Sequence, residues 1–400
     1  MARARGSIRP RTLRNGQRVW DVIYELPRGL DGRRRRKWIR GFPTRRAAQV
    51  RLTEELHKLD GGGFVEPTTQ TVQGYMRDWL NGHRTAVRPS TWASYRHNLE
   101  NHVFPRLGRL PLSRLTGTQL SGLYADLLEG GRTRGKGGLS PRTVRYVHAI
   151  IRKALADAFR QGLVQRNVAE EARPPSARAT KASAMRTWTA PELRRFLEFA
   201  RGDPLYPAWL LLATTGMRRG ELLALRWRDI DLAAGTVAVR RSILAVGYRI
   251  VYSTTKSGRT RSVALDRGTV EVLRQHRKRQ LERRMLLGPA YQDDDLVFTE
   301  DDGSVIHPDR FTRRFTRLVK AASLPVIRLH DLRHTHATLA LAAGVHPKVV
   351  SERLGHSTVS LTLDVYSHAI PALQGEAAAR IAALLAAAES SEGSLGSQET

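Results

Sequence analysis

Apolar and polar residues alternate in one stretch near the N-terminus. In GQRVWDVIYEL, Trp20, Val22 and Tyr24 are out of phase with the residues between them, a pattern typical of a β-strand with two different faces. The following GLDGRRRRKWIRGF predicts a turn at Asp31-Gly32 and then a second, strongly basic strand. The chain is therefore expected to begin with a small β-sheet.

A helical period follows directly in TRRAAQVRLTEELHKL. Thr44 is a suitable N-cap, because its hydroxyl can accept a hydrogen bond from a backbone N–H of the first turn. Ala47, Val50 and Leu56 are spaced to share one apolar face. We expect this helix to pack on the sheet, so that residues 1–60 form one small domain.

Four further helical stretches lie between two linkers. The first linker is DGGGFVEPTTQ and the second is EEARPPSARATKASAMRTWT; glycine and proline at this density do not form packed elements. The helical stretches are TVQGYMRDWLNGH, RPSTWASYRHNLENHVFPRL, TGTQLSGLYADLLEG and SPRTVRYVHAIIRKALADAFRQGLV. They predict an all-helical domain over residues 68–170.

The third and largest part has helical patterns at both ends and strands in the middle. The strand-rich middle is GTVAVRRSILAVGYRIVYSTTKSGRTRSVAL. We expect a mixed α/β domain over residues 185–388 and a polar, disordered tail over 389–400. The predicted fold class is thus a multidomain, mainly α chain with small β-sheets.

Charge narrows the range of partners. The chain has 67 Lys and Arg against 37 Asp and Glu, a formal net charge of +30, which favours a polyanion such as nucleic acid. The first 60 residues hold 17 basic and 6 acidic side chains. The run Arg33, Arg34, Arg35, Arg36 and Lys37 predicts DNA contact; the alternative is a solvated hairpin edge whose charges oppose aggregation.

Composition also excludes several classes of site and location. There is no cysteine, which excludes disulfides and thiolate metal sites and fits a reducing compartment. The sequence contains no run of about 18 apolar residues, which a membrane-spanning helix would require. The segment MARARGSIRP lacks the apolar core of a secretory signal. We expect a protein of the cytoplasm.

One stretch near the C-terminus gathers histidines, arginines and a tyrosine: RLHDLRHTHATLALAAGVHPKVVSERLGHSTVSLTLDVYSHAI. On a helix, His330 and Arg333 share a face, whereas His334 and His336 are expected to point elsewhere. His330 and His334 could bind zinc, but Arg333 between them opposes a divalent cation. A solvated helix would account for His334, His336 and His346, and a phosphate site is the third alternative.

This stretch and two earlier ones resemble the tyrosine recombinase (phage integrase) family. TTGMRRGELLALRWRDID resembles the first arginine box, TTKSGRTRSVAL the lysine hairpin, HDLRHTHAT the His-x-x-Arg box and LGHSTVSLTLDVYSH the tyrosine box. All four occur in the family's order, across nearly all of residues 189–370. In that order they place Arg218 and Glu221, Lys256, His330 and Arg333, and His356 and Tyr366.

The resemblance implies a role for each of these residues. Arg218 and Arg333 would hold the nonbridging phosphate oxygens, as guanidinium forks can, and Tyr366 would attack the phosphorus. Lys256 would protonate the departing 5′-oxygen, His330 would accept the tyrosine proton, His356 would donate to the phosphate and Glu221 would orient the site. No cofactor and no metal are implied.

The family likeness also implies partners, and a place of action at the nucleoid in the cytoplasm of a bacterial host. An integrase would bind core DNA sites with its helical and catalytic domains and arm sites with its N-terminal domain. It would act as a homotetramer, with a DNA-bending host factor and a directionality factor, and the segment AIPALQGEAAARIAALLAAA would dock on its own body or on a neighbour. The alternatives are a type IB topoisomerase, a dimer-resolving recombinase and a non-catalytic DNA-binding repressor.

Overall fold

The computed structural model describes residues 6–26, 35–60, 70–133, 135–180, 185–254, 260–356, 358–366, 378–379 and 381–383. The chain divides into two compact units, Met1–Lys181 and Ala182–Thr400. None of the described helices combines the length and apolar composition that a membrane span requires. The predicted fold class is confirmed, because helices predominate and the sheets are small.

The first unit begins with a three-stranded antiparallel sheet and one helix. The elements are β1 (Gly6–Thr12), β2 (Arg18–Leu26), β3 (Arg35–Phe42) and α1 (Arg45–Asp60), with strand order β1-β2-β3. The two predicted strands and the predicted helix are confirmed. β1 was not predicted, because an edge strand with a single large apolar residue, Ile8, has no clear alternation.

The N-terminus of α1 is as predicted, whereas its buried face differs. Thr44 caps the helix, since its Oγ1 accepts from the Ala47 N–H at 3.1 Å. Ala48 and Leu52 face the sheet, and the prediction that Val50 lies on this face is wrong because Val50 is 54% exposed. Glu55 takes a core position, which the Tyr24 hydroxyl stabilises by donating to its carboxylate at 2.6 Å.

The remainder of the first unit is helical, as predicted. It consists of α2 (Val72–Gly82), α3 (Pro89–Asn98), α4 (Phe104–Leu107), α5 (Gly117–Gly130) and α6 (Pro141–Arg160). A π-helical turn over Leu99–Val103 joins α3 to α4. The Ser140 side chain caps α6 by accepting from the Thr143 N–H. One apolar core holds the helices together, with Leu99, Leu123 and Ile151 fully buried in it.

The second unit contains eight described helices and five described strands. The helices are α7 (Ala190–Phe199), α8 (Tyr206–Thr215), α9 (Arg219–Leu223), α10 (Arg267–Leu287), α11 (Pro308–Ala321), α12 (Leu329–Ala342), α13 (Pro347–Leu354) and α14 (Val359–Tyr366). The strands are β4 (Ile230–Asp231), β5 (Thr236–Val239), β6 (Arg241–Val246), β7 (Arg249–Thr254) and β8 (Arg261–Ala264). They form an antiparallel sheet β4-β5-β8 and a hairpin β6-β7.

Two helix ends and one close approach position the site in this unit. α8 ends at Gly216 and α13 at Gly355, both with left-handed backbones (φ 64° and 67°) that favour glycine. A Cβ at Gly220 would lie 2.2 Å from the Ile243 carbonyl oxygen, so α9 packs against β6 without an intervening side chain. The first turn of α9 is thereby fixed beside the hairpin.

Candidate active site

Arg218 stands at the start of α9 and is paired with a buried carboxylate. Its backbone N–H donates to Glu221 Oε2 at 3.0 Å, and its Nη1 donates to Glu221 Oε1 at 2.8 Å. Glu221 is only 2% exposed. The structure thus places Glu221 against Arg218, where the sequence predicted an orienting group, and the pairing doubles as the N-terminal cap of α9.

A second arginine, at the start of strand β8, holds the same carboxylate. Arg261, at the start of β8, donates from Nη2 to Glu221 Oε2 at 2.6 Å and from Nη1 to Oε1 at 3.2 Å. Burial alone would raise the pKa of Glu221, but hydrogen bonds and charge from Arg261, and then from Arg218, lower it to about 2. Glu221 is therefore an anion held between two guanidiniums.

Arg333 is buried at the meeting point of two helix ends. It lies on α12, is 3% exposed, and donates from Nη1 to the Gly216 carbonyl at 2.8 Å and from Nη2 to the Leu354 carbonyl at 2.7 Å. Arg218 Nη2 donates to the next carbonyl, that of Gly355, at 3.4 Å. The carboxyl ends of helices carry partial negative charge that favours cations. Both predicted phosphate-binding arginines therefore converge on the end of α13.

His330 and His356 lie within the field of both arginines. Burial lowers the pKa of His330, and the charges of Arg333 and then Arg218 lower it further. Burial, followed by the same two arginines, lowers the pKa of His356 to about 4. Residues from α9, α12 and the turn after α13 are thus brought together, with both imidazoles neutral near pH 7.

The other histidines of this stretch have different surroundings. The prediction that His334 points away from His330 is wrong: the two rings meet edge to face, 5.0 Å between centroids, because residues i and i+4 of a helix are neighbours. His336 Nδ1 bonds the Ala213 carbonyl, and His346 caps α13 by accepting from the Lys348 N–H. Across the described residues, no three His, Asp or Glu side chains are arranged to hold a metal ion.

α14 carries Tyr366 as its last residue. Its backbone is described, whereas its side chain lies outside the described part of the chain. Thr362, one turn earlier on the same helix, has its Oγ1 2.7 Å from His356 Nδ1. The helix of the predicted nucleophile is therefore bonded directly to a predicted phosphate ligand.

Several predicted residues fall outside the described structure. Lys256 lies in 255–259, between β7 and β8. Arg33 and Arg34 are also outside it, as is the side chain of Arg35. The C-terminal segment predicted to be a docking helix is described only at 378–379 and 381–383, where the backbone is helical.

Of the predicted arm contacts, Arg36 and Lys37 occupy opposite faces of β3. Arg36 Nη2 lies 3.4 Å from Glu25 Oε1. Lys37 Nζ lies 3.9 Å from Glu55 Oε2 and over the Tyr24 ring, on the side that α1 covers. The opposite face of the sheet, which α1 leaves uncovered, carries Arg9, Arg11, Trp38 and Arg40 besides Arg36.

Sequence reasoning did not single out Arg261 or Thr362. Arg261 is in phase with the buried Val263 on β8, so the alternation of that strand already indicated an inward-facing charge. Thr362 is four residues before Tyr366 and therefore on the same face of α14. Each had a signal in the sequence, but neither signal identified the bonding partner.

Three segments of the chain match models of known protein families. Residues 186–372 match the model of the phage integrase family, residues 71–128 that of the phage integrase N-terminal SAM-like domain, and residues 10–59 that of an arm DNA-binding domain. A "tyrosine recombinase XerC-like" protein of Caldanaerobacter subterraneus subsp. tengcongensis is 26% identical over 377 residues, covering 90% of this chain and 94% of the relative.

One further relative and one solved structure are similar to this chain. A prophage phiRv2 integrase of Mycobacterium tuberculosis is 30% identical over 376 residues, covering 91% of this chain and 92% of the relative. The fold is similar to that of a lambda integrase tetramer bound to a Holliday junction, with a TM-score of 0.56 and 18% identity over 89% of this chain and 94% of that one. The chain belongs to the phage integrase family and is a tyrosine site-specific recombinase.

Proposed function

We propose that this recombinase integrates and excises a mobile element or phage genome by cutting DNA with Tyr366, through a 3′-phosphotyrosyl intermediate. The observation that carries the proposal is the convergence of Arg218 and Arg333 on the Leu354–Gly355 carbonyls, next to two neutral histidines. Such a cluster suits one phosphodiester, since attack at phosphorus builds charge on the nonbridging oxygens.

The two arginines would neutralise that charge without moving. Arg333 is anchored by two carbonyls and Arg218 by a carboxylate and a carbonyl, so both guanidiniums are oriented before DNA arrives. Donors fixed in this way avoid the reorganisation that water would undergo in the transition state. Their planar forks match the geometry of two phosphate oxygens.

The neutral histidines suit proton transfer and donation. A neutral His330 can accept the phenolic proton of Tyr366 as the nucleophile attacks. When the Thr362 hydroxyl donates to His356 Nδ1, the His356 proton resides on Nε2, which then donates to a phosphate oxygen. Lys256 would protonate the departing 5′-oxygen, and the tyrosyl ester would retain the energy of the broken bond for rejoining.

DNA is the partner that this chemistry requires, and the helical part of the first unit has a suitable surface. A groove of about 1010 Å³ there is lined by His97, Asn101, Arg132, Arg142 and Tyr146, among others. Cationic and amide side chains of this kind bind phosphates and base edges. This groove would contribute to core-site binding, and four copies would act together, as in the similar lambda integrase tetramer.

Arm sites would bind the uncovered face of the N-terminal sheet. Arg9, Arg11, Arg36 and Arg40 project from it beside Trp38, which is 48% exposed. Lys37 faces α1, so its contribution would be to the fold. The run Arg33–Arg35 would add further positive charge for DNA binding. A DNA-bending host factor and a directionality factor would set the arrangement of arm and core sites.

Covalent trapping tests this function directly. The protein is incubated with nicked suicide substrates that carry the attachment sequences at the ends of its element, and the products are run on a denaturing gel. We expect a protein–DNA adduct with the native chain and none with Tyr366→Phe, although that variant still binds the site, because only the nucleophilic oxygen is removed. Adduct formation by Tyr366→Phe, or none by the native chain on any attachment sequence, would contradict the proposal.

A further inference from the structure

We infer that Arg261 is a positioning residue for strand cleavage: by holding Glu221 it leaves the Arg218 guanidinium available to the phosphate. The inference rests on the proposed function of Arg218. Arg261 is not one of the catalytic residues predicted from the four sequence boxes. Its hydrogen bonds nevertheless reach Glu221, in the first arginine box, and the Arg353 carbonyl, next to the tyrosine box.

Arg261 uses all three of its guanidinium nitrogens in these contacts. Nη1 and Nη2 form a fork on the Glu221 carboxylate, and Nε donates to the Arg353 carbonyl at 2.8 Å, at the end of α13. Its side chain is only 11% exposed. The residue also begins β8 directly after the stretch that contains Lys256. One side chain therefore connects the base of the lysine segment, the Arg218 helix and the turn before His356.

The turn at Gly355 is built closely around this guanidinium. A Cβ at Gly355 would lie 3.0 Å from Arg261 Nη1, and the backbone there is left-handed with φ 67°. The same glycine supplies the carbonyl that accepts from Arg218 Nη2. The position of Arg261 therefore affects the carbonyl on which Arg218 rests as well as the carboxylate beside it.

Charge balance explains why the second arginine matters. Among the described residues, the hydrogen bonds to the Glu221 carboxylate come from Arg218 and Arg261 alone. A buried carboxylate strongly favours full pairing. If Arg261 is removed, the Arg218 guanidinium becomes the remaining cation, and we expect it to turn its fork toward Glu221. That rotation withdraws donors from the phosphate.

Neutralising Glu221 should compensate for the loss of Arg261. In Arg261→Met, ionised Glu221 captures Arg218, so removing the negative charge should restore activity. Glu221→Gln in the Arg261→Met background removes that charge while keeping the shape of the side chain. Lower pH should act in the same direction, because loss of Arg261 raises the pKa of Glu221 from about 2 toward or above its ordinary value.

The experiment measures the rate of adduct formation on the suicide substrate for native chain, Arg261→Met, Arg261→Lys and the double variant, between pH 5 and pH 8. We expect Arg261→Met to be about 100-fold slower than native at pH 8, with core-site affinity unchanged. The double variant should regain about tenfold. Arg261→Lys should fall between native and Arg261→Met, since an ammonium supplies the charge but not the fork.

Arg314→Met is the matched control. Arg314 also pairs with a carboxylate whose side chain is largely buried: its Nε donates to both oxygens of Asp203, at 3.1 and 2.8 Å. Among the described residues, its hydrogen bonds do not involve the site. We expect this variant to melt at a lower temperature and to cleave at nearly the native rate. A comparable loss of cleavage in Arg314→Met would mean that any broken buried pair has the same effect, and would overturn the inference.

Two other results would also overturn it. One is cleavage by Arg261→Met at the native rate. The other is a double variant no faster than Arg261→Met together with a defect that is the same at pH 5 and pH 8, which a purely structural role predicts. If Arg261→Met does not fold, the cleavage rate of Arg261→Lys relative to the native rate is compared across this pH range instead. A ratio that is the same at pH 5 and pH 8 would then overturn the inference. Absence of any adduct with the native chain would instead refute the proposed function itself.

Discussion

Arginine is used in opposite ways at the two ends of this chain. In the catalytic unit, Arg333 is 3% exposed, and backbone carbonyls fix its guanidinium. On the N-terminal sheet, the Arg36 side chain is 60% exposed and pairs with the partly exposed carboxylate of Glu25 at 3.4 Å. The same functional group is therefore buried and held by the backbone in one place and largely exposed in the other.

This difference in burial predicts that the two groups of arginines serve different purposes, catalysis and DNA affinity. A fixed guanidinium stabilises one transition state, because its orientation does not change as charge develops. Hydrated guanidiniums contribute to binding chiefly through the release of counterions from DNA, and each adds a similar, sequence-independent increment. We therefore expect substitutions at the site to affect rate and substitutions on the sheet to affect affinity.

The largest effect should come from the fixed arginines. Arg333→Ala and Arg218→Ala should each slow cleavage on the order of a thousandfold, because phosphate charge is left uncompensated in a poorly hydrated site. Affinity for the core site should remain close to native, since many other basic residues contact the backbone. Adduct formation and gel-shift affinity are measured on the same preparations. Cleavage within a few-fold of native by either variant would contradict this role.

Removal of the whole N-terminal domain should have the converse effect. A chain that starts near Thr68 should still cleave and rejoin an isolated core site, because every proposed catalytic residue lies beyond Pro191. It should lose efficient integration on DNA with arm sites, because two binding modules on one chain gain affinity through effective concentration.

Both reactions are assayed with the same truncated protein. Loss of core-site cleavage as well would indicate that the domain supports the fold, and efficient two-site integration would exclude arm binding as its function.

The smallest effect should distinguish the two faces of β3. Arg40 lies on the uncovered face, over the Trp38 ring, whereas Lys37 faces Glu55. Arg40→Ala should weaken arm-site binding a few-fold and reduce the slope of log affinity against log salt by about one. Lys37→Ala, three residues away, should leave that slope unchanged and lower the melting temperature. The reverse pattern would place the DNA on the other face.

The sequence was sufficient for the elements that have a strong period and for the residues that occur in boxes. The alternation around Val22 predicted β2, and the arginine and histidine boxes predicted residues that the structure brings together. It was not sufficient to identify which side chains form hydrogen bonds with each other across the fold. Periodicity gives the face of an element, such as the face of β8 that Arg261 shares with the buried Val263. It contains no information that a carboxylate 40 residues earlier lies opposite.

Two predictions about helix faces were wrong for different reasons. Val50 was expected in the core because it is apolar, yet the helix turns Glu55 inward instead, where Tyr24 and basic side chains stabilise it. His334 was expected to point away from His330, although one helical turn makes them neighbours. Contacts that form only after folding outweighed the local preference of Val50. The contact between His330 and His334, in contrast, follows from local helix geometry.

The carbonyl anchors at the ends of α8 and α13 have a consequence for how this sequence can diverge. Thr214, Leu354 and Arg353 offer main-chain oxygens to Arg353, Arg333 and Arg261 in turn. A main-chain oxygen is present whatever the side chain, so these contacts survive many substitutions. An inserted or deleted residue would move every oxygen beyond it out of register. Apart from Gly216 and Gly355, whose left-handed backbones favour glycine, we expect these two turns to vary in composition among homologous chains while conserving their length.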